Sequence, residues 1–161
     1  MILDLRTGIG FDVHAFADER KLILGGIEIA HEKGLAGHSD ADALLHAVTD
    51  AMFGSLSLGD IGTHFPDDDP RYKNADSTVF LKRAHELIRN KGYYLNNIDV
   101  VVMLQIPKIA PYVQKMKENM SKILEIGSDR ISIKATTTEK LGFVGREEGI
   151  SVMAVVTVVR K

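Results

Sequence analysis

The chain contains no cysteine, so it can hold neither a disulfide framework nor a thiolate metal site. Any transition-metal site must be built from imidazole and carboxylate. No apolar run approaches the length of a membrane span. The formal charge of −2 gives no basis for nonspecific attraction to nucleic acid or to an anionic membrane, and neither partner is expected. A signal-peptide pattern is also lacking, so the expected location is the cytoplasm, or a plastid-type organelle if a transit peptide has been removed. Internal repeats, low-complexity tracts and linkers are absent. With 45% apolar and 26% charged residues, the 161 positions suit one soluble globular domain with a proper core.

What the chain does have is a concentration of polar chemistry between Gly37 and His46. Ser39 or Asp40 could cap a helix there, and Leu44, Leu45, Val48, Ala51 and Met52 recur at the spacing of its apolar face. Asp42, His46 and Asp50 lie four residues apart and share a stripe on that helix. Such stripes are usually solvated, but this one has the composition of a metal-ligand row. Upstream, a strand is predicted from about Thr7 to His14. Its alternation sends Asp12 and His14 to one face and Phe11 and Val13 to the other. Asp12, His14 and His46 would then form a two-imidazole, one-carboxylate set of the kind that binds zinc with an open fourth position. Either Asp42 or Asp50 is expected to accept the second ring N–H of His46. Taken singly, each histidine is more readily structural than a ligand, and spacing alone leaves that alternative open.

The remaining punctuation is clear. Leu22–Leu24 and Ile27–Ile29 flank Gly25-Gly26 and predict a hairpin. A long polar connection runs from Gly59 to Asp76, of a length often used for lids. Ser77 to Lys91 is a helix capped by Asp76 or Ser77 and stopped by Gly92. Asn97 to Ile106 reads as a strand buried on both faces, Pro111 to Ile126 as a helix, and Arg130 to Thr138 as a strand. A glycine-rich turn over 141–149 leads to an apolar strand from Ile150 to Val159. The order predicts a two-layer α+β fold, a mixed β-sheet with helices packed on one face. The other face also reads as apolar, and association through the sheets would cover it.

Four segments together resemble the 2-C-methyl-D-erythritol 2,4-cyclodiphosphate synthase family. They are Gly10-Phe11-Asp12-Val13-His14, His38-Ser39-Asp40-Ala41-Asp42 through His46, Phe65-Pro66-Asp67 through Pro70, and Lys134-Ala135-Thr136-Thr137-Thr138-Glu139-Lys140-Leu141-Gly142-Phe143. The match spans essentially all of 1–161 as a single domain of that kind. It implies a homotrimer with active sites between subunits. The implied reaction is conversion of 4-diphosphocytidyl-2-C-methyl-D-erythritol 2-phosphate to the cyclic diphosphate with release of CMP, a phosphorus–oxygen lyase step of non-mevalonate isoprenoid biosynthesis. It implies that Asp12, His14 and His46 hold a zinc-like ion in each subunit, and that Glu139 helps hold a second, Mg2+ or Mn2+, with substrate. His38 and Thr137 would stabilise the transition state. Substrate contacts are implied for Val13 beside Asp12 and His14, for Ser39 beside His38, and for Asp60, Ile61, Gly62, Phe65, Pro66, Asp67, Asp68 and Asp69 around the erythritol. Leu104, Gln105, Ile106, Pro107, Lys108, Ile109 and Ala110 would form the cytosine pocket, with Thr136, Thr138 and Phe143 nearby. Arg146 would meet an isoprenoid diphosphate on the trimer axis. Two positions depart from the family pattern. Leu104 replaces a commonly small residue, which bears on the pyrimidine pocket, and Asn74 replaces a common loop glycine, which bears on loop flexibility.

Two rival functions use the same residues. A metal-dependent phosphohydrolase acting on a nucleotide diphosphate would activate water instead of a substrate phosphate. A noncatalytic nucleotide-binding trimer would keep the metal as a staple. An open metal position argues against the second.

Overall fold

Glycines at alternate positions shape the first strand. In this computed structural model, which describes residues 3–160, β1 (Asp4–Ala17) runs under helix α1 (Ala43–Ser55). A Cβ placed on Gly10 would lie 1.9 Å from the Ala47 carbonyl oxygen, and one on Gly8 1.9 Å from that of Ala51. Only glycine permits so close an approach of helix backbone to sheet. Asp12 and His14 continue the same face of β1, so the contact lowers His46 of α1 onto them.

The other elements follow in order: β2 (Leu22–Leu24), β3 (Ile27–Ile29), β4 (Gly34–Leu35), α2 (Ile61–His64), α3 (Thr78–Asn90), β5 (Tyr94–Met103), α4 (Val113–Leu124), β6 (Ile131–Thr136), α5 (Gly142–Gly145) and β7 (Gly149–Arg160). β2 and β3 form the predicted hairpin, with positive φ at Gly25 and Gly26 as a tight two-residue turn requires. The main sheet has the order β4-β1-β7-β5-β6; β5 and β6 are parallel and the other neighbours antiparallel. The fold is thus α+β with a mixed sheet. Ile150, Val152, Ala154, Val156 and Val158 of β7 are fully buried in the core, along with Leu44, Leu45, Val48 and Met52 of α1.

The opposite sheet face is open. Ile9 (64% exposed), Phe11 (55%), Val13, Met153 and Val155 lie on it, with Phe11 paired to Met153 and Ile9 to Val155. The expectation that β5 is buried on both faces is therefore corrected. Ile98, Val100 and Val102 face the core, while Asp99, Val101 and Met103 are half-buried on the open side, because no helix among the described residues covers it.

The start of α1 is also corrected. Asp42, not Ser39 or Asp40, caps the helix, accepting the Leu45 N–H at 3.0 Å. Ser39 and Asp40 are occupied elsewhere: Ser39 Oγ accepts the Ala41 N–H, and Asp40 accepts the N–H groups of Asp42 and Ser77. Asp42 also accepts the N–H groups of Gly25 and Gly26, tying the hairpin turn to the helix. Its full burial pushes its carboxyl up to about 6.

Candidate active site

The three predicted ligands meet. Asp12 Oδ2 lies 3.0 Å from His14 Nε2 and 3.1 Å from His46 Nδ1, and the two ring nitrogens are 3.3 Å apart. Each imidazole commits its other nitrogen elsewhere. His14 Nδ1 is 2.5 Å from the Ala36 carbonyl, an acceptor only, so that nitrogen carries the hydrogen. His46 Nε2 is 2.8 Å from Ser77 Oγ, which itself donates to Asp40 Oδ1 and so accepts from His46. The hydrogen-bond pattern thus leaves two bare imidazole nitrogens and a carboxylate oxygen converging on one point. Such a set is mutually repulsive unless a cation lies among its members, and its donor types suit a zinc-like ion. Among the described residues it is the one group of three His, Cys, Asp or Glu side chains with this geometry.

The local field agrees. Burial alone would raise Asp12, but the two imidazoles beside it hold its carboxyl below the usual range. Burial alone would lower His14, but Asp12 and the Ala36 carbonyl carry it above the usual range. A field that favours a proton at this point favours any small cation there.

The expected partner of His46 is corrected. Asp42 is spent on the helix cap and Asp50 accepts the Ile61 N–H at 3.0 Å; the ring is oriented by Ser77 and, through it, Asp40. Ser77 stands at the start of α3 but makes no side-chain cap bond, because its hydroxyl is turned to His46. Neither it nor Asp40 is marked by local spacing, since they are 37 residues apart.

The ligand trio lines a cavity of about 490 Å³. His38, Ser39, Ile61, Gly62, Phe65, Pro66 and Asp67 line it as well, joined by Tyr72 and Phe80. The last two were not anticipated as site residues. Phe65, Tyr72 and Phe80 form one aromatic cluster, with Phe65 and Phe80 centroids 4.6 Å apart, which anchors the long connection onto α3. That connection is more ordered than a lid read from composition. Asp60 caps α2 through the Thr63 N–H, and Asp69 caps the 3-10 turn Pro70–Tyr72 and pairs with Arg71 at 2.6 Å. Asp60, Asp68 and Asp69 do not line the cavity, and the side chain of Val13 points to the opposite sheet face. Asn74 has φ +58°, in the left-handed region that glycine and asparagine tolerate best.

The other predicted residues gather separately. Leu104, Gln105, Pro107, Lys108, Ile109 and Ala110 line a second cavity of about 240 Å³ together with Ala135, Thr136 and Thr137. Ile106 is exposed beside it, and Gln105 Oε1 is buried without a hydrogen-bond partner among the described residues. Thr137 Oγ1 lies 3.2 Å from Glu139 Oε1, and Thr138 Oγ1 donates to the Leu141 carbonyl. Glu139 and Lys140 both have positive φ, a strained turn that costs about 1 kcal/mol or more per residue. Phe143 is 38% exposed, and Arg146 is paired with Glu148 at 2.9 Å. Among the described residues, none lines both cavities.

A mixed α+β sheet with an Asp–His–His set in one cavity and a separate second cleft defines a class, that of α+β proteins with a candidate metal site. The YgbB family model matches residues 5–159. A 2-C-methyl-D-erythritol 2,4-cyclodiphosphate synthase of Bacillus mycoides is 56% identical over 97% of this chain and 99% of its own length. Among solved structures, the bifunctional IspDF of Campylobacter jejuni aligns with a TM-score of 0.96 and 46% identity over 99% of this chain, which spans 43% of that longer protein. The IspF CDP complex of Plasmodium falciparum aligns at 0.86 with 35% identity, over 98% of this chain and 97% of that one. The chain belongs to the YgbB family, the family of the 2-C-methyl-D-erythritol 2,4-cyclodiphosphate synthases. No helix among the described residues is long and apolar enough to cross a membrane.

Proposed function

We propose that this chain is a cytoplasmic phosphorus–oxygen lyase that converts 4-diphosphocytidyl-2-C-methyl-D-erythritol 2-phosphate to 2-C-methyl-D-erythritol 2,4-cyclodiphosphate and CMP. The observation that carries the reading is the convergence of two bare imidazole nitrogens and a carboxylate inside a cavity, in a chain 56% identical to a relative of that name. An oxygen of the 2-phosphate forms a bond to the β-phosphorus. The bond from that phosphorus to the bridging oxygen breaks, and CMP leaves with the electron pair. A zinc-like cation on Asp12, His14 and His46, and Mg2+ or Mn2+ near Glu139, would supply the neutralisation that two reacting phosphates need.

The chain's own groups do the positioning. His38 and Ser39 offer donors along the cavity wall, and Ile61, Gly62, Phe65, Pro66 and Asp67 line the same cavity, where they would shield bound substrate from water. Leu104 to Ala110 hold the cytosine, largely through backbone N–H and carbonyl groups along the cleft. Thr137 donates to a phosphate oxygen from the same cleft. Since the two cavities share no residue, the reading places them together across subunits of a homotrimer. The open sheet face supports association: covering half-exposed side chains such as Leu5, Ile9, Phe11, Val13, Met153 and Val155 gains about 1 kcal/mol each. Arg146, repeated about a threefold axis and released from Glu148, would offer three guanidinium groups to an isoprenoid diphosphate.

A hydrolase would use the same residues with water as nucleophile. A tethered phosphate has the advantage, with effective molarities on the order of 10⁵ M when well oriented. Turnover in 18O-labelled water separates the two. Unlabelled CMP and unlabelled cyclic diphosphate are expected, and label in either product would establish the hydrolase.

A further inference from the structure

We propose that Arg20 is a positioning residue for this site, its guanidinium clamping the segment Ala36–Ser39 that sets His38 and both histidine ligands. The inference rests on the cyclase reading above. Arg20 Nη1 donates to the Gly37 carbonyl at 3.1 Å and Nη2 to the Ser39 carbonyl at 2.6 Å, so its two bonds straddle His38. Bonds from a charged donor are shorter and roughly twice as strong as neutral ones.

The clamped segment touches the site at each residue. The Ala36 carbonyl fixes the hydrogen of His14 on Nδ1. Gly37 packs against the same ring, where an added Cβ would lie 3.1 Å from His14 Cε1. His38 is carried between the two clamped carbonyls. Ser39 Oγ lies 3.3 Å from His46 Nε2. From the far side, the Asn74 N–H donates to the His38 carbonyl at 2.7 Å and the Asp40 N–H to the Ala75 carbonyl at 3.0 Å. The segment is therefore held between the long connection on one side and Arg20 on the other. Arg20 sits on the short link between β1 and β2, which is anchored by strands at both ends. It does not line the 490 Å³ cavity, so it acts through the segment and not by touching substrate.

The test uses Arg20→Gln, Arg20→Lys and Arg20→Ala in the full chain, each followed by thermal melting, zinc affinity without substrate, and kcat and KM for cyclic diphosphate formation. Arg20→Gln is expected to lower kcat on the order of 10²-fold, as a displaced catalytic group does. Its zinc affinity should fall roughly 10-fold, as on loss of a ligand's support. KM should stay within about threefold. Arg20→Lys, which keeps the charge but reaches one carbonyl, should recover part of both losses, and millimolar guanidinium should restore part of the Arg20→Ala rate. A raised KM with unchanged kcat would make Arg20 a substrate contact and overturn the proposal. So would lowered melting with normal kcat and zinc affinity. If the Gln and Ala variants do not fold, wild-type kcat and zinc affinity in Arg20→Lys would overturn it. If wild type forms no cyclic product, the cyclase reading fails, while the zinc arm still decides the clamp.

Discussion

Around Asp12, His14 and His46 each ligand side chain is held by partners of its own chain, whereas Thr137 and Glu139 stand exposed and bond chiefly to one another. The first region lies where α1 is pressed onto β1, and the second on the edge strand β6 and the turn beyond it. All three candidate metal ligands are therefore supplied by one folded chain. The second region offers a pocket and a strained turn with few side-chain partners among the described residues.

The largest expected effect comes from breaking the first region. Gly10→Val drives a side chain into the Ala47 carbonyl, and the overlap should cost about 3 kcal/mol or more, visible in chemical denaturation together with lost metal binding. His46→Ala should keep the fold, abolish stoichiometric zinc and reduce turnover roughly 10³-fold, as loss of several kcal/mol of charge stabilisation requires. Full zinc occupancy in that variant would remove His46 from the ligand set. Glu139→Gln sharpens the contrast: turnover should fall while zinc content stays at the wild-type level.

Smaller effects test the supports. Ser77→Ala should weaken zinc binding by about 10-fold or more, measured by chelator competition, because His46 loses the acceptor that fixes its tautomer. A further test concerns Asp42, and it reads stability instead of metal binding. Its carboxyl is raised to about 6 in the fold from an ordinary 3.8, so the folded state binds the extra proton between those values. Its contribution is fully present below pH 3.8 and is lost as pH rises through 6. Asp42→Asn lacks that titration, so wild type should lose stability relative to the variant between pH 4 and 6 on the order of the 2-unit shift. Parallel stability curves would contradict it.

The difference between the regions also explains what could be read from the amino-acid order. Asp12 and His14 share a face by strand alternation and His46 by helix spacing, so local periodicity was enough to nominate the trio. The hairpin at Gly25-Gly26 was legible for the same reason. Ser77 and Asp40 were not, because their bond spans 37 residues and no local rule links them. Nor was the true cap at Asp42, since three acceptable caps compete and tertiary bonds to Gly25 and Gly26 decide among them. Gly8 and Gly10 announce nothing until a helix is laid across them. The second region was reached through family resemblance, because threonines in a strand and a lone glutamate carry no chemistry by spacing alone.

Mixing two inactive chains tests the central claim that the halves join across subunits. His46→Ala and Glu139→Gln subunits, co-assembled in equal amounts, each carry one intact half. If the active site lies between neighbours, random mixing restores about a quarter of wild-type sites, and cyclic diphosphate formation recovers accordingly. If both halves serve the same chain, the mixed assemblies stay as inactive as either parent, and the account of a shared site is wrong.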